Sequence, residues 1–215
     1  MNFRWPIVCL VVVTLLGCSS VYYEAMEKVG IHKREIMVDR VKSARDSQGE
    51  AKKQFQTTME QFRSVINFQG GNLEREYNRL NATLQKSEAK ADEVSERIDA
   101  VEDVSEALFS EWRAEIKQYS SDSLRQSSQR KYDLTRKKYS ELITAMKKAE
   151  DRLEPALIPL RDQVLFMKHN LNAKAIAGLS SEMTNVQANV DTLIRDMERA
   201  ITQADAFIIE LQADQ

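Results

Sequence analysis

Apolar residues recur at alternating steps of three and four along most of this 215-residue chain. The pattern is clearest near the end, where eleven successive positions from Ile176 to Leu211 are all apolar. From Leu73 to Trp112, ten of twelve such positions are apolar or aromatic. A sustained 3.5-residue repeat keeps one stripe of a helix against a partner helix. The pattern therefore predicts long helices packed together along continuous apolar seams.

Two further seams are less regular. One covers Val41–Ile66 with a single widened step, and the other covers Thr135–Leu171 with a one-residue slip near its middle. Pro155 and Pro159 lie at that slip. A proline inside a helix loses a backbone hydrogen bond and bends the helix. We therefore predict a kink within Leu153–Leu160 and not a domain boundary.

Short polar or glycine-containing stretches separate the seams, at Gly70-Gly71, Ser120–Ser123 and Asn170–Asn172. Asn72 and Asn172 stand where N-cap residues of the following helices are expected. Short connections make successive helices antiparallel neighbours. We predict an all-α fold, an elongated antiparallel up-down-up-down four-helix bundle or coiled coil, in a single helical domain over residues 18–215. The predicted helices cover about residues 21–68, 73–119, 123–170 and 173–212.

The first 17 residues have the features of a secretory signal peptide. Arg4 gives a positive start, and the apolar stretch 5–16 is too short to span a bilayer as a helix. Leu15–Cys18 resembles the bacterial lipobox, in which the signal is cut before the cysteine and the thiol is acylated. We therefore predict cleavage after residue 17 and lipidation of Cys18, the alternative being an uncleaved anchor segment. Ser19 favours the outer membrane over the inner one.

Composition limits what the processed chain does. Cys9 leaves with the signal peptide, so no thiol pair and no disulfide framework remain. Charged residues make up 30% of the chain, with only 6 Gly and 3 Pro, as expected for long helices. Removal of Arg4 leaves 30 basic and 33 acidic side chains, a net charge of −3. We therefore expect no nucleic-acid partner.

Charge is unevenly distributed between the second and third predicted helices. Residues 73–119 hold 12 acidic and 7 basic side chains, whereas residues 124–152 hold 9 basic and 4 acidic ones. Opposite flanking charges help to pair helices. The basic run of Arg130-Lys131 and Arg136–Lys138 is therefore predicted to face the acidic second helix or solvent. A nucleic-acid or anionic-lipid site is the alternative.

One stretch at the end of the bundle away from Cys18 is a candidate for contact with a partner. Residues 162–178 carry few charges for this chain. The alternative is that Phe166 and Met167 only close the core at this end. The candidate contact residues are Phe166, His169, Asn170 and Asn172.

No residue cluster in the sequence identifies a reaction. His32 and His169 fall near opposite ends of the predicted bundle, and neither completes a Glu-x-x-His pair of the di-iron type. Cys/His zinc spacing and a P-loop are both absent from the sequence. We therefore expect no metal, no cofactor and no enzymatic activity. The alternative is a small-molecule-binding or enzymatic bundle with a site near Asp162, His169 and Asn172.

Several motifs are spread over nearly the whole chain after the signal peptide. They are YYEAMEKVG (22–30), HKR (32–34), VDRV (38–41), RIDAVEDV (97–104), ALF (107–109), EW (111–112), DQVLF (162–166) and KHNLNA (168–173). Together they resemble an uncharacterised bacterial family, domain of unknown function 2959. The resemblance implies a helical, envelope-associated protein, and it supplies no activity and no site residues.

These observations lead to one functional expectation. The lipobox and the long seams without catalytic residues indicate a lipid-anchored helical scaffold or adaptor of the bacterial cell envelope. Acyl chains on Cys18 would hold it in the outer membrane, facing the periplasm. The far end would meet an envelope protein or the cell wall. A homo-oligomeric coiled coil is compatible with the same seams.

Overall fold

The computed structural model describes residues 22, 23, 26, 30–68, 70 and 72–213, and for residues 173–175 only the backbone. Almost all of this part of the chain is α-helical, as the seams predicted. Two successive shorter helices, α3 and α4, together form the third leg of a four-legged bundle. The helices are α1 (Lys33–Ile66), α2 (Leu73–Ile116), α3 (Asp122–Glu150), α4 (Leu153–His169) and α5 (Ala173–Ala213).

Side-chain bonds between helices show that neighbouring legs run in opposite directions. Lys33 at the start of α1 binds Glu111 near the end of α2 at 3.0 Å, whereas Gln61 near the end of α1 binds Glu76 near the start of α2. The same reversal relates α5 to α1 and to α3. The pairs that show it are Arg45–Asp205 and Arg63–Gln187 for α1 with α5, and Lys138–Glu210 and Lys148–Asp196 for α3 with α5.

The legs are arranged so that α2 and α5 each contact α1 on one side and the α3–α4 leg on the other. At 1.5 Å per residue, the 44 residues of α2 extend over about 66 Å. The fold is therefore the predicted elongated antiparallel four-helix bundle. We call the end where α1 begins and α2 meets α3 the near end, and the opposite end the far end.

Most seam residues belong to one large core cluster, with a smaller cluster of Phe109, Ile116 and Tyr132 at the near end. The polar seam members of α2 are accommodated by hydrogen bonds. In α2, Ser87 is completely buried and its hydroxyl lies 2.9 Å from that of Thr58 in α1. Thr58 also donates to the backbone oxygen of Thr83 at 3.1 Å. Ser105 donates to the backbone oxygen of Glu102 at 2.7 Å. The serines in the α2 seam are thus packing residues whose hydroxyls are satisfied locally.

The third leg is broken earlier than predicted. The expected kink within Leu153–Leu160 is wrong, because the break lies at residues 151–152 and α4 continues through Pro159. Pro155 falls in the first turn of α4, where its missing N–H costs no helical bond. Its ring would clash with the carbonyl of residue 151 in a continuous helix, so the interruption falls before the proline rather than at it.

A buried carboxylate on α5 joins both sides of this break. Asp196 is 3% exposed, and its carboxylate lies 3.2 Å from Lys148 at the end of α3. It also lies 3.5 Å from Arg152 at the start of α4 and 2.8 Å from Arg199 on its own helix. A buried charge needs such partners to offset its lost hydration. The three cations therefore hold the broken leg against α5.

The first predicted helix, 21–68, is also interrupted. Gly30 has a φ of +83°, and α1 begins only at Lys33. Tyr23 is buried in the core, and its pKa is raised overall. Burial is the main cause and the charge of Asp103 adds to it, whereas the charge of Arg40 acts in the opposite direction. In one continuous helix, Tyr23 and Arg40 would stand about 25 Å apart. Tyr23 therefore lies nearer to Arg40 than one continuous helix would place it.

Two glycines give opposite predictions for the same substitution. A methyl group at either position meets no atom within 4 Å. Gly49→Ala, inside α1, should raise the free energy of unfolding by about 1 kcal/mol, because alanine favours the helix. Gly30→Ala should lower it by about 1 kcal/mol, because a side chain disfavours positive φ. Urea denaturation of the chain from residue 18 onward measures both, and changes of the same sign would contradict this assignment of the two backbones.

Candidate partner-contact surface

Three large apolar side chains are exposed within seven residues at the far end. Leu165 is 60% exposed, Phe166 is 44% exposed and Leu171 is 41% exposed. We call residues 165–172 the tip segment, which comprises the last turn of α4 and its connection to α5. No other stretch of seven described residues holds three exposed large apolar side chains. Concentrated apolar exposure of this kind is typical of contact sites.

The structure separates Phe166 from its neighbour Met167. Met167 is completely buried and closes the core at the far end, as one of the two sequence interpretations held. The ring of Phe166 instead lies against α5 beside Gly178, where an added Cβ would stand 3.3 Å from the ring atom Cε1. The glycine lets the ring lie close to the backbone of α5 while its outer part stays exposed.

The other three predicted contact residues have different roles in the connection. The side chain of Asn170 donates through Nδ2 to the backbone oxygen of Phe166 at 2.9 Å, which ends α4. Asn172 directly precedes the first residue of α5, and its N–H donates to the oxygen of Asn170 at 2.9 Å. His169 is exposed in the last turn of α4. Asn170 therefore shapes the tip, whereas His169 and Asn172 are accessible on it.

The exposure of Leu165 and Leu171 was missed in the sequence. Leu171 continues the apolar seam of the third leg and was assigned to the core. It is exposed because α4 ends at His169, two residues before the seam position is reached. Leu165 gave a weak signal, since it is an apolar residue that lies off the seam.

The residues of the alternative ligand site are not gathered into one cavity. Asp162 lines a groove of about 480 Å³ between α2 and α4, together with Tyr77 and Lys168, but His169 and Asn172 do not line it. Arg161, also in the groove, is bound to Glu88 at 2.6 Å, and this bond raises the pKa of its guanidinium. The groove is also lined by Asn81, Leu84, Gln85, Val164 and Leu165.

The described residues also bear on two other kinds of site, a metal centre and a membrane span. Among them, no group of three or more His, Cys, Asp or Glu side chains is placed to hold a metal ion. Within the same part of the chain, none of the helices is both long and apolar enough to cross a membrane. Cys18 and the predicted signal peptide lie outside the described residues.

Chain length nevertheless limits where Cys18 lies relative to the tip. Three residues lie between it and Tyr22, so the four residue-to-residue steps span at most about 14 Å. The adjacent Tyr23 is close enough to Arg40 for that positive charge to lower its pKa, and Arg40 lies about 39 Å from Ile66 along α1. Tyr23 therefore lies in the half of the bundle that contains the near end, away from the tip segment, and only a short stretch of chain joins it to Cys18.

The fold and the tip define an elongated antiparallel four-helix bundle with an exposed apolar segment at one end. The chain belongs to the family described as Protein of unknown function (DUF2959), whose model matches residues 22–211. This confirms the family resemblance seen in the sequence motifs. Neither the curated proteins nor the solved structures contain a match to the chain.

Proposed function

We propose that the protein is a lipid-anchored helical adaptor of the bacterial cell envelope. Acyl chains on Cys18 hold the near end in the membrane, and the tip segment is presented to a protein partner in the periplasm. Ser19 after the lipidated cysteine favours the outer membrane. The family match begins at residue 22, so the sequence shared with the family coincides with the chain expected after processing.

The exposed apolar tip at the far end is the observation that carries this proposal. Isolated exposed apolar residues are common on protein surfaces, whereas a concentration of them favours a binding role. Leu165, Phe166 and Leu171 suit an apolar protein surface, because aromatic and apolar residues are enriched in the cores of protein interfaces. We therefore favour a protein partner over the polar cell wall.

The body of the bundle suits the role of a spacer. Ion pairs link the legs along their length, including Lys52–Glu198 between α1 and α5 and Lys147–Glu102 between α2 and α3. The bond to Glu102 raises the pKa of Lys147, so this lysine stays charged across physiological pH. A rod of about 66 Å keeps the tip and the anchored end well apart.

Photo-crosslinking in living cells tests the proposal. A photoreactive residue placed at position 166 or 170 of the acylated protein should give the same dominant protein adduct, identified by mass spectrometry. The matched controls carry the photoreactive residue at Thr57 or Gln203, which are exposed on the sides of the bundle. Equal adducts from all four positions, or no protein adduct from the tip of acylated protein, would contradict a tip-directed adaptor.

A further inference from the structure

The first half of α3 is strongly basic and scarcely buried. From Arg125 to Lys138 the chain holds six basic side chains and one acidic one. Between residues 122 and 141, only Tyr132 and Thr135 are buried. Most basic side chains in this half of α3 are therefore exposed, and few of its residues take part in packing against other helices.

Ion pairing differs between the two halves of α3. In the second half, Lys147 binds Glu102 of α2 at 2.7 Å, as the opposite charges of the two helices predicted. In the first half, Arg130 and Lys137 are exposed and make no ion pair with any described residue. These two residues face solvent, as one form of the prediction held, whereas Lys138 of the same basic run pairs with Glu210 of α5 at 3.3 Å and not with α2. Their charges are available to another molecule.

An exposed leucine lies between these two cations. Arg130, Leu134 and Lys137 follow the i, i+4, i+7 spacing, so they form one stripe on the outer face of α3. Leu134 is 53% exposed. We call these three residues the α3 stripe. Cations flanking an apolar side chain on one helix face are typical of helices that lie in the interface of a membrane.

Aromatic side chains and a groove lie at the near end, around the start of α3. Trp112 donates through Nε1 to the hydroxyl of Ser128 at 2.9 Å, which joins α2 to α3. Tyr119 and Leu124, 39% and 57% exposed, flank the turn between the helices. A groove of about 470 Å³ is lined by Trp112, Tyr119, Leu124 and other residues, including Lys131. Tyrosine and tryptophan are enriched at the level of lipid headgroups.

We propose that the α3 stripe, with Tyr119 and Leu124, binds the anionic surface of the membrane that carries the lipid anchor. Its placement rests on the proposed anchor at Cys18, because the stripe lies in the same half of the bundle. The complementary charge is the phosphate of anionic lipid headgroups, and the apolar groups enter the boundary below them. A polybasic surface beside acyl chains is a second, independent signal for membrane binding.

Vesicle sedimentation of the non-acylated chain from residue 18 onward tests the proposal. The chain should bind vesicles of phosphatidylethanolamine with phosphatidylglycerol, and not vesicles of phosphatidylethanolamine alone. Each cation near an anionic surface contributes about 1 kcal/mol, so Arg130→Gln with Lys137→Gln should weaken binding about 30-fold. The matched control, Lys53→Gln with Lys86→Gln, removes two exposed cations from the middle of the bundle and should bind as the parent does.

Failure of this proposal is distinguishable from failure of the anchor. Absence of binding to phosphatidylglycerol vesicles at low salt, or equal weakening by the control pair, would overturn the membrane role of the stripe. Acylation of Cys18, measured separately, would then still stand. A photoreactive residue at Lys137 of the acylated protein should give lipid adducts in cells. A dominant protein adduct there would overturn the proposal in favour of a protein-binding surface.

Discussion

Replacement of Cys18 by Ser is expected to abolish acylation completely. On the proposed account, the lipobox-like stretch would place the acylated thiol at Cys18, and Cys9 would leave with the predicted signal peptide. Cells fed a labelled fatty acid should therefore incorporate label into the parent protein and into Cys9→Ser, but not into Cys18→Ser. Mass spectrometry of the parent should show an acylated N-terminal residue at position 18.

The same substitution tests how the protein is held. When Cys18→Ser is exported through a signal peptide without a lipobox, it should leave the membrane fraction after a high-salt wash. The wash matters because salt screens the charge contacts of the α3 stripe but does not remove acyl chains. Label on Cys18→Ser, or persistent retention after the wash, would contradict anchoring through this residue.

A second large effect is expected at Gln48, in the seam of α1. Gln48 is completely buried, and neither its amide oxygen nor its amide nitrogen has a hydrogen-bond partner among the described residues. An unsatisfied buried polar group costs about 1 to 3 kcal/mol. Gln48→Leu replaces the amide by an apolar group of similar size and should raise the free energy of unfolding by about 2 kcal/mol.

Gln54 of the same helix is the matched control. Its Nε2 donates to the backbone oxygen of Thr83 in α2 at 3.0 Å, so its amide is satisfied. Gln54→Leu removes that bond and should give no gain in stability. Urea denaturation of the chain from residue 18 onward compares the two variants. A lower stability of Gln48→Leu, or an equal gain in both variants, would contradict the cost assigned to the buried amide.

Gln48 also has a bearing on the uniqueness of the fold. A single polar residue in an apolar seam specifies register in some helical assemblies, at a cost in stability. The α1 seam is otherwise apolar around it, with Ala44 and Ala51 as its nearest seam neighbours. A more stable Gln48→Leu variant that also formed oligomers would assign such a role to this residue.

The helices of this fold were predictable because their signal is local and repeated. A 3.5-residue pattern sustained from Leu73 to Trp112 predicts a long helix packed against a partner. Asn72 was also predictable as a cap, and its Oδ1 accepts from the N–H of Arg75 at 3.0 Å. The interruptions were less predictable. The break at residues 151–152 follows from a steric clash four residues before Pro155, which shifts the boundary away from the proline itself.

The tip was predictable as a region but not residue by residue. Low charge marked residues 162–178, and Phe166 is indeed exposed there. The exposure of Leu171 depends on where α4 ends relative to the other legs, which is a tertiary property that a seam pattern does not contain. The interruption at Gly30, with its positive φ, was likewise not contained in the seam pattern, which begins only at Val41.

The central claim is that one end of the rod is anchored and the other end meets a protein. It is tested most directly by crosslinking from position 166 in two forms of the protein, one acylated and one exported with Ser at position 18. The account predicts one dominant protein adduct in the acylated form and its loss or strong reduction in the form without the anchor. Lipid adducts from position 166, or no adduct in protein whose acylation has been verified, would contradict it.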